Sequence, residues 1–182
     1  QEHTTPPIAV AAAPSASGAA AAAPKAVTTH KVQHPHHDEK RDSTLQKIAK
    51  LDVKGRIQLA IKGTKEERSL LIRDGTKLVA MAVLESPKVS DGEVEKFASQ
   101  KNVLEAVLRA ISMKRRYAKQ YTIVRNLVFN PRTPLDVSLG LVKNLLVNDL
   151  KNLSGNKEVS ETVRKLGLRM FKQKVESSGK RN

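Results

Sequence analysis

Apolar residues recur every three to four positions from about residue 43 to about residue 175, which is the pattern of short amphipathic helices. The stretch 123–145 shows it most clearly. One apolar helical face is formed by Ile123, Val124, Leu127 and Val128, and the apolar residues from Leu135 onward form a second. Asn130-Pro131 separates them, since proline has no N–H and disfavours the α conformation of the residue before it. Two short helices joined by so brief a turn cannot bury their apolar faces alone, so they are expected to pack against neighbours.

Helix starts are marked by residues that cap exposed backbone N–H groups. Thr64 followed by Glu67, and Ser90 followed by Glu93, have the spacing of a capping box, in which each side chain bonds the other residue's backbone N–H. Both pairs directly precede or open an apolar run, so each predicts a helix start.

Two later starts are predicted in the same way. Thr133 suits an N-cap, Pro134 suits the first helical position, and Asp136 completes a capping-box-like arrangement with a short acid. Ser160 is predicted to cap the last helix. No segment alternates apolar and polar residues as a strand does, so about ten short helices and an all-α fold are expected.

Two of the predicted turns have similar sequences. Residues 84–90 align with residues 128–134 at an offset of 44, and the four predicted N-caps are separated by 26, 43 and 27 residues. Repeated short helical pairs imply either short helical-hairpin repeats forming an α-solenoid-like array or a compact array of crossed helices.

The chain of 182 residues divides by composition. Residues 1–41 are rich in alanine, proline and histidine and predict a disordered tail. Residues 42–175 predict the helical domain, and residues 176–182 a frayed C-terminal tail. No apolar run is long enough for a transmembrane helix, and a cytoplasmic location is expected.

All five histidines lie in the predicted tail. A flexible histidine-rich tract can bind Zn²⁺ or Ni²⁺ weakly, but a solvated tail without a metal is the preferred interpretation. The histidines are His3, His30, His34, His36 and His37.

The formal net charge is +15, of which about +14 falls after residue 41. So basic a domain is attracted to polyanions such as nucleic acid, ribosomes or acidic proteins. A generally lysine-rich solvated surface is the alternative.

Catalytic chemistry is disfavoured by what the predicted domain contains. It has neither histidine nor cysteine, which excludes Ser-His-Asp and Cys-His nucleophilic schemes and the HExxH zinc site. It also has no phosphate-binding loop of the GxxxxGK[ST] kind. We therefore expect a non-enzymatic protein without a cofactor or small-molecule substrate.

The turn Asn130–Val137, followed by leucines, resembles the turn of HEAT-like and leucine-rich-repeat-variant helical proteins. The runs 73–80 and 85–88 also resemble a group of uncharacterised bacterial proteins of this kind. The resemblance covers roughly residues 63–174 and implies a binding scaffold. Some HEAT-like proteins are DNA glycosylases, which makes that activity a remote alternative.

The candidate contact surface is electrostatic. Arginines and lysines contact phosphates, and interleaved tyrosines can stack on exposed bases. A protein partner is preferred, with nucleic acid or the ribosome as the alternative; solvated helix ends with packed tyrosines are the third interpretation. The second helix of stretch 123–145 has Lys143 as its only basic residue, which favours a core element over a DNA-reading helix. The candidate residues are Arg109, Lys114, Arg115, Arg116, Tyr117, Lys119, Tyr121 and Arg125, with Arg164, Lys165 and Arg169 on the last helix.

Overall fold

The computed structural model describes residues 43–179, all of which belong to one compact unit. Regular structure within this range is entirely helical, which confirms the predicted all-α class. The helices are α1 (residues 43–49), α2 (Val53–Lys62), α3 (Lys65–Leu71), α4 (Lys77–Leu84), α5 (Asp91–Ser99), α6 (Glu105–Met113), α7 (Arg115–Ala118), α8 (Tyr121–Phe129), α9 (Leu135–Leu141), a 3₁₀ helix (Val142–Asn144), α10 (Val147–Gly155) and α11 (Glu161–Gly179).

Both predicted capping boxes are present. Thr64 accepts a hydrogen bond from the Glu67 N–H while the Glu67 carboxylate accepts one from the Thr64 N–H, and Ser90 and Glu93 make the same exchange. Ser160 Oγ likewise accepts a hydrogen bond from a backbone N–H, that of Val163, at 3.4 Å. These starts depend only on residues three positions apart, which is why the sequence predicts them.

The predicted cap at Thr133 is wrong. Helix α9 begins one residue later than expected, at Leu135, with Pro134 as its N-cap and no side-chain cap. The Thr133 N–H bonds instead to the Asn130 carbonyl at 3.1 Å, so Thr133 is held within the preceding turn. Asp136, the expected capping partner, pairs with Arg109 of α6.

Gly63 ends α2 with a backbone conformation that does not itself require glycine. Its φ of −69° is accessible to any residue. A Cβ at this position would lie 2.4 Å from the Leu59 carbonyl oxygen and 2.5 Å from Glu67 Oε2. Glycine is therefore required by the close approach of α2 to the capping box of α3.

Helices α2, α4 and α6 lie side by side and run in the same direction. Near one end of α2, Arg56 pairs with Asp74, just before α4. At its other end, Ser86, just after α4, donates to the Ile61 carbonyl at 2.7 Å. The C-terminal ends of α4 and α6 meet where Lys114 Nζ donates to the Leu84 carbonyl at 2.7 Å.

The same row continues through α9 and α11. Arg109 of α6 pairs with Asp136 of α9, and α9 contacts α11. The turns that lead into α6, α9 and α11 also meet, since Asn130 donates to the Gln100 carbonyl and Lys101 pairs with Glu158. We call α2, α4, α6, α9 and α11 row A.

Helices α3, α5, α8 and α10 form a second row, which we call row B. Arg68 of α3 pairs with Glu93 of α5. Helices α5 and α8 run in register, because Asn126 donates to the Glu95 carbonyl at 3.1 Å and Asn130 donates to the Ala98 carbonyl at 2.7 Å. Contacts of α8 with Asp149 bring α10 beside it.

The core is aliphatic and falls into two clusters. One fills the space among α2 to α8, with Phe97 its largest fully buried side chain, and the other lies among α8 to α11. Leu141 packs against both.

The predicted tail, residues 1–41, lies outside the described residues, as do all five histidines. Helix α11 continues to Gly179, three residues beyond the predicted start of the frayed segment at residue 176. Among residues 43–179, no helix has both the length and the apolar composition needed to cross a bilayer.

Candidate functional site

Most of the first predicted cluster holds the fold together. The Arg109 guanidinium makes two parallel hydrogen bonds with the Asp136 carboxylate, at 2.6 and 2.9 Å. The hydrogen bond to Asp136 raises the pKa of Arg109, and the bond from Arg109 lowers the pKa of Asp136. This pair joins α6 to α9 along row A.

Lys114 and Arg116 are similarly engaged. Lys114 donates to the last carbonyl of α4 and also pairs with Glu85 at 2.9 Å. The Arg116 guanidinium approaches Asp91 to 2.7 Å and lies 5.7 Å from the centre of the Tyr117 ring. Both cations therefore connect the segment around α7 to neighbouring helices, Lys114 to the end of α4 and Arg116 to α5.

Tyr117 does not offer the stacking face that the sequence suggested, and Tyr121 is partly buried against the second core cluster. Tyr117 is only 3% exposed, because its ring packs into the first core cluster. The Tyr121 hydroxyl donates to the Asp149 carboxylate and accepts a hydrogen bond from the Leu146 N–H at 3.1 Å. Arg125 Nε also donates to Asp149, at 2.9 Å, and its guanidinium lies 4.9 Å from the centre of the Phe129 ring.

The pKa shifts of Tyr121 and Asp149 reflect these hydrogen bonds between α8 and α10. Burial raises the pKa of Tyr121, and the hydrogen bond to Asp149 raises it further. Burial alone would raise the pKa of Asp149, but hydrogen bonds from Tyr121 and Arg125 outweigh it and the pKa is lowered. The carboxylate is thus stabilised in its charged form by groups that the fold itself supplies.

Arg115 and Lys119 are the remaining members of the first cluster. Both are exposed, and neither is paired with an acid in the described part of the chain. They are the cations of this cluster that an external anion could reach without breaking an internal contact.

The second predicted cluster lies on α11. From Thr162 to Val175 this helix carries five basic residues and no acidic one. Lys165 makes an exposed ion pair with Glu161 at 2.8 Å, one turn away, while Arg169 is exposed and unpaired among residues 43–179. Arg164 is half-buried, and its buried Nε has no hydrogen-bond partner.

A groove of about 420 Å³ runs between α9 and α11. Two partly buried leucines that pack on the second core cluster, Leu139 and Leu166, form its floor. Thr162, Lys165 and Arg169 line its sides. The sequence pointed to both cations but not to this groove, because Leu139 and Leu166 read as ordinary core positions on their helices.

A second, smaller cavity of about 250 Å³ lies beside the turn 130–134. Glu105, Arg132 and Ser138 are among its lining residues. Thr133 Oγ1 has no hydrogen-bond partner but is itself fully buried, so it does not present its hydroxyl to a ligand.

The surface retains a large positive surplus. Residues 43–179 contain 27 basic and 14 acidic side chains. Nine of the acidic side chains already form ion pairs within the described part of the chain. An incoming anionic group therefore meets many cations and few free carboxylates.

Exposed apolar side chains are distributed unevenly between the rows. Row A carries at least one on each of its five helices, whereas row B carries none within its helices. Leu146, which immediately precedes α10, is the exposed leucine nearest to row B. The row A residues are Val53, Leu78, Met113, Leu135, Leu168 and Val175.

Searches against protein-family models, curated proteins and solved structures found no significant match.

Proposed function

We propose that this domain is a non-enzymatic helical-repeat scaffold that binds a protein partner along row A. The observation that carries the proposal is the placement of exposed large apolar side chains on every helix of that row. Isolated exposed apolar residues are common on protein surfaces, but six of the eight large ones exposed among residues 43–179 fall on row A, which favours that row as a recognition surface.

The repeat interpretation is supported by a turn that recurs along the chain. Side-chain oxygens of Ser86, Asn130 and Asn156 each accept a hydrogen bond from the backbone N–H two residues later. Each of these turns joins a helix of one row to a helix of the other. A short α-solenoid would alternate two rows through similar turns in this way, and the resemblance to HEAT-like turns implies the same architecture.

The test uses two leucines that are almost equally exposed. Leu78 of row A is 67% exposed and Leu146 beside row B is 62% exposed. Immobilised wild-type protein, Leu78→Glu with Met113→Glu, and Leu146→Glu are used to capture proteins from nuclease-treated native lysate. We expect specific capture by the wild type and by Leu146→Glu, and loss of capture by the row A variant.

All three proteins should have the same helical circular dichroism and closely similar melting temperatures, because every substituted side chain is exposed. The scaffold proposal fails if wild type captures nothing after nuclease treatment, or if the row A variant captures the same proteins as wild type.

Nucleic acid is the second candidate, favoured by the unpaired cations Arg115 and Lys119. We expect Arg115→Glu with Lys119→Glu to weaken binding of a single-stranded RNA and to reduce the slope of log affinity against log salt by about 1–2. Fluorescence anisotropy over a series of salt concentrations measures both quantities.

The matched control for the RNA experiment is Lys151→Glu with Lys157→Glu, two exposed lysines, one on α10 and one in the turn that follows it. Arg116 is left unchanged because it pairs with Asp91. If both double variants lose the same affinity for RNA, only the overall charge matters, and Arg115 and Lys119 do not form a nucleic-acid site.

A further inference from the structure

We infer that the groove between α9 and α11 receives an acidic segment of the partner protein that inserts an apolar side chain. This inference rests on the proposed scaffold function and specifies the chemistry of the occupant. It is carried by two features of the same groove. One is the open apolar floor formed by Leu139 and Leu166, and the other is a cationic rim formed by Lys165 and Arg169.

The floor is suited to an apolar anchor. Leu139 and Leu166 come from different helices and are only partly buried by the core beneath them. The groove, with a volume of about 420 Å³, is an open depression and not an enclosed pocket, so it suits a side chain presented from the surface of a partner. Burying one large aliphatic or aromatic side chain here removes apolar surface of both partners from water.

The rim selects for negative charge. Arg169 has no acidic partner among residues 43–179, and Lys165 is held only by an exposed pair with Glu161. Exposed pairs one helical turn apart contribute little to stability, so an incoming carboxylate can replace Glu161 at little cost. The rim cations are thus available for binding, unlike Arg109 and Arg125, which link helices.

The position of Glu161 also orients the occupant. This carboxylate lies at the start of α11, one turn before Lys165, whereas Lys172 lies three residues beyond Arg169. Like charges repel, so carboxylates of the partner are favoured over the stretch 165–172 and disfavoured over the start of α11. An amphipathic helix with acidic residues flanking its apolar anchors meets this requirement.

A polyanion without apolar groups fits the groove less well. Phosphates would contact Lys165 and Arg169 but would leave Leu139 and Leu166 exposed to water. Dependence on the apolar anchor therefore separates an acidic protein segment from RNA.

The test uses a fluorescein-labelled helical peptide with leucines on one face and glutamates elsewhere, a second peptide with those leucines changed to alanine, and a single-stranded RNA of similar charge. Two variants probe the groove of the full chain. Lys165→Glu with Arg169→Glu reverses the rim charge, and Thr162→Trp fills the groove from an exposed position without removing a core side chain.

Matched controls lie on row B. Lys65→Glu with Lys96→Glu makes the same change of charge, and Thr122→Trp places the same bulky ring at an exposed threonine of α8. We expect about tenfold weaker binding of the leucine peptide to both groove variants and less than about twofold change for both controls. The alanine peptide should bind wild type about tenfold more weakly than the leucine peptide.

The inference is overturned if groove and control variants bind the leucine peptide equally, or if the alanine peptide or the RNA binds as tightly as the leucine peptide. Capture from lysate distinguishes the two proposals. If the groove variants retain the proteins that Leu78→Glu with Met113→Glu loses, the groove inference fails while the scaffold proposal stands. If wild type captures no protein, both fail.

Discussion

Glu93→Ala is expected to lower the free energy of unfolding by about 3–5 kcal/mol, the range for removing one partner of a buried ion pair. Arg68 and Glu93 have side chains only 5% exposed each. Removing the carboxylate leaves the guanidinium buried without its counter-charge and also removes the capping-box bond to the Ser90 N–H. Urea unfolding followed by circular dichroism at 222 nm measures the loss.

The geometry explains why this pair has so large an expected effect. Arg68 Nε and Nη2 bond the two Glu93 oxygens at 2.9 and 3.1 Å. The same guanidinium donates to the carbonyls of Gly63 and Lys88, so it joins two turns as well as two helices. A single side chain thus satisfies three neighbouring segments.

Glu158→Ala is the matched control, since its pair with Lys101 also joins distant turns but is more than half exposed on both sides. Its expected cost is below about 1 kcal/mol. Equal costs for the two glutamates would contradict the importance assigned to burial. Arg68→Met with Glu93→Leu should recover much of the stability lost by Glu93→Ala, because an apolar pair leaves no buried charge.

Glu93 also makes the free energy of unfolding depend on pH. Burial alone would raise the pKa of Glu93, but hydrogen bonds from Ser90 and Arg68 outweigh it, so the pKa is lowered from its ordinary value. A lowered pKa stabilises the fold fully above the unfolded-state value, and this contribution is lost as pH falls through the folded-state value. Wild type should therefore lose more stability than Glu93→Gln between pH 5 and the acid range; parallel curves would contradict this assignment.

Asn130→Ala is expected to cost about 2–3 kcal/mol, because each hydrogen bond contributes roughly 1 kcal/mol and buried carbonyls are left unpaired. Asn130 Nδ2 donates to the carbonyls of Ala98 and Gln100, at 2.7 and 2.8 Å, and Oδ1 accepts from the Arg132 N–H at 2.9 Å. The residue thereby shapes its own turn and also caps the end of α5. Thermal and urea unfolding report the loss.

Asn130→Asp separates these two roles. Aspartate retains the acceptor for the turn but lacks the amide donors, and its charge faces two carbonyl oxygens. It should be at least as destabilising as alanine if capping of α5 dominates. Asn156→Ala is the control, since Asn156 accepts only from the Glu158 N–H and should cost about 1 kcal/mol. A mild Asn130→Asp variant would show that the turn, not the cap, is what matters.

Local features of this fold were predictable from the sequence, and contacts between distant residues were not. The boxes at Thr64 and Ser90 form because their partners lie three residues away. The box at Thr133 fails because Asp136 bonds to Arg109, 27 residues earlier, which no local pattern indicates.

Contacts between distant residues also decide which residues of the candidate surface are exposed, and the sequence does not predict them. A run of basic residues and tyrosines looks alike whether its members face solvent or neighbouring helices. Tyr117 is buried and Arg125 is tied to Asp149 because α8 meets its neighbours there. The groove could not be predicted from the sequence, because Leu139 and Leu166 become neighbours only when α9 and α11 pack together.

The two-row arrangement also has a consequence for how the chain reaches its fold. The hydrogen bonds that join one helix or turn to the next connect residues mostly 18 to 32 positions apart in the described range. The entropy cost of closing a loop grows with its length, and domains dominated by short separations fold quickly. Each helix can dock as soon as the next one or two have been synthesised, so folding can advance along the chain in the order of translation.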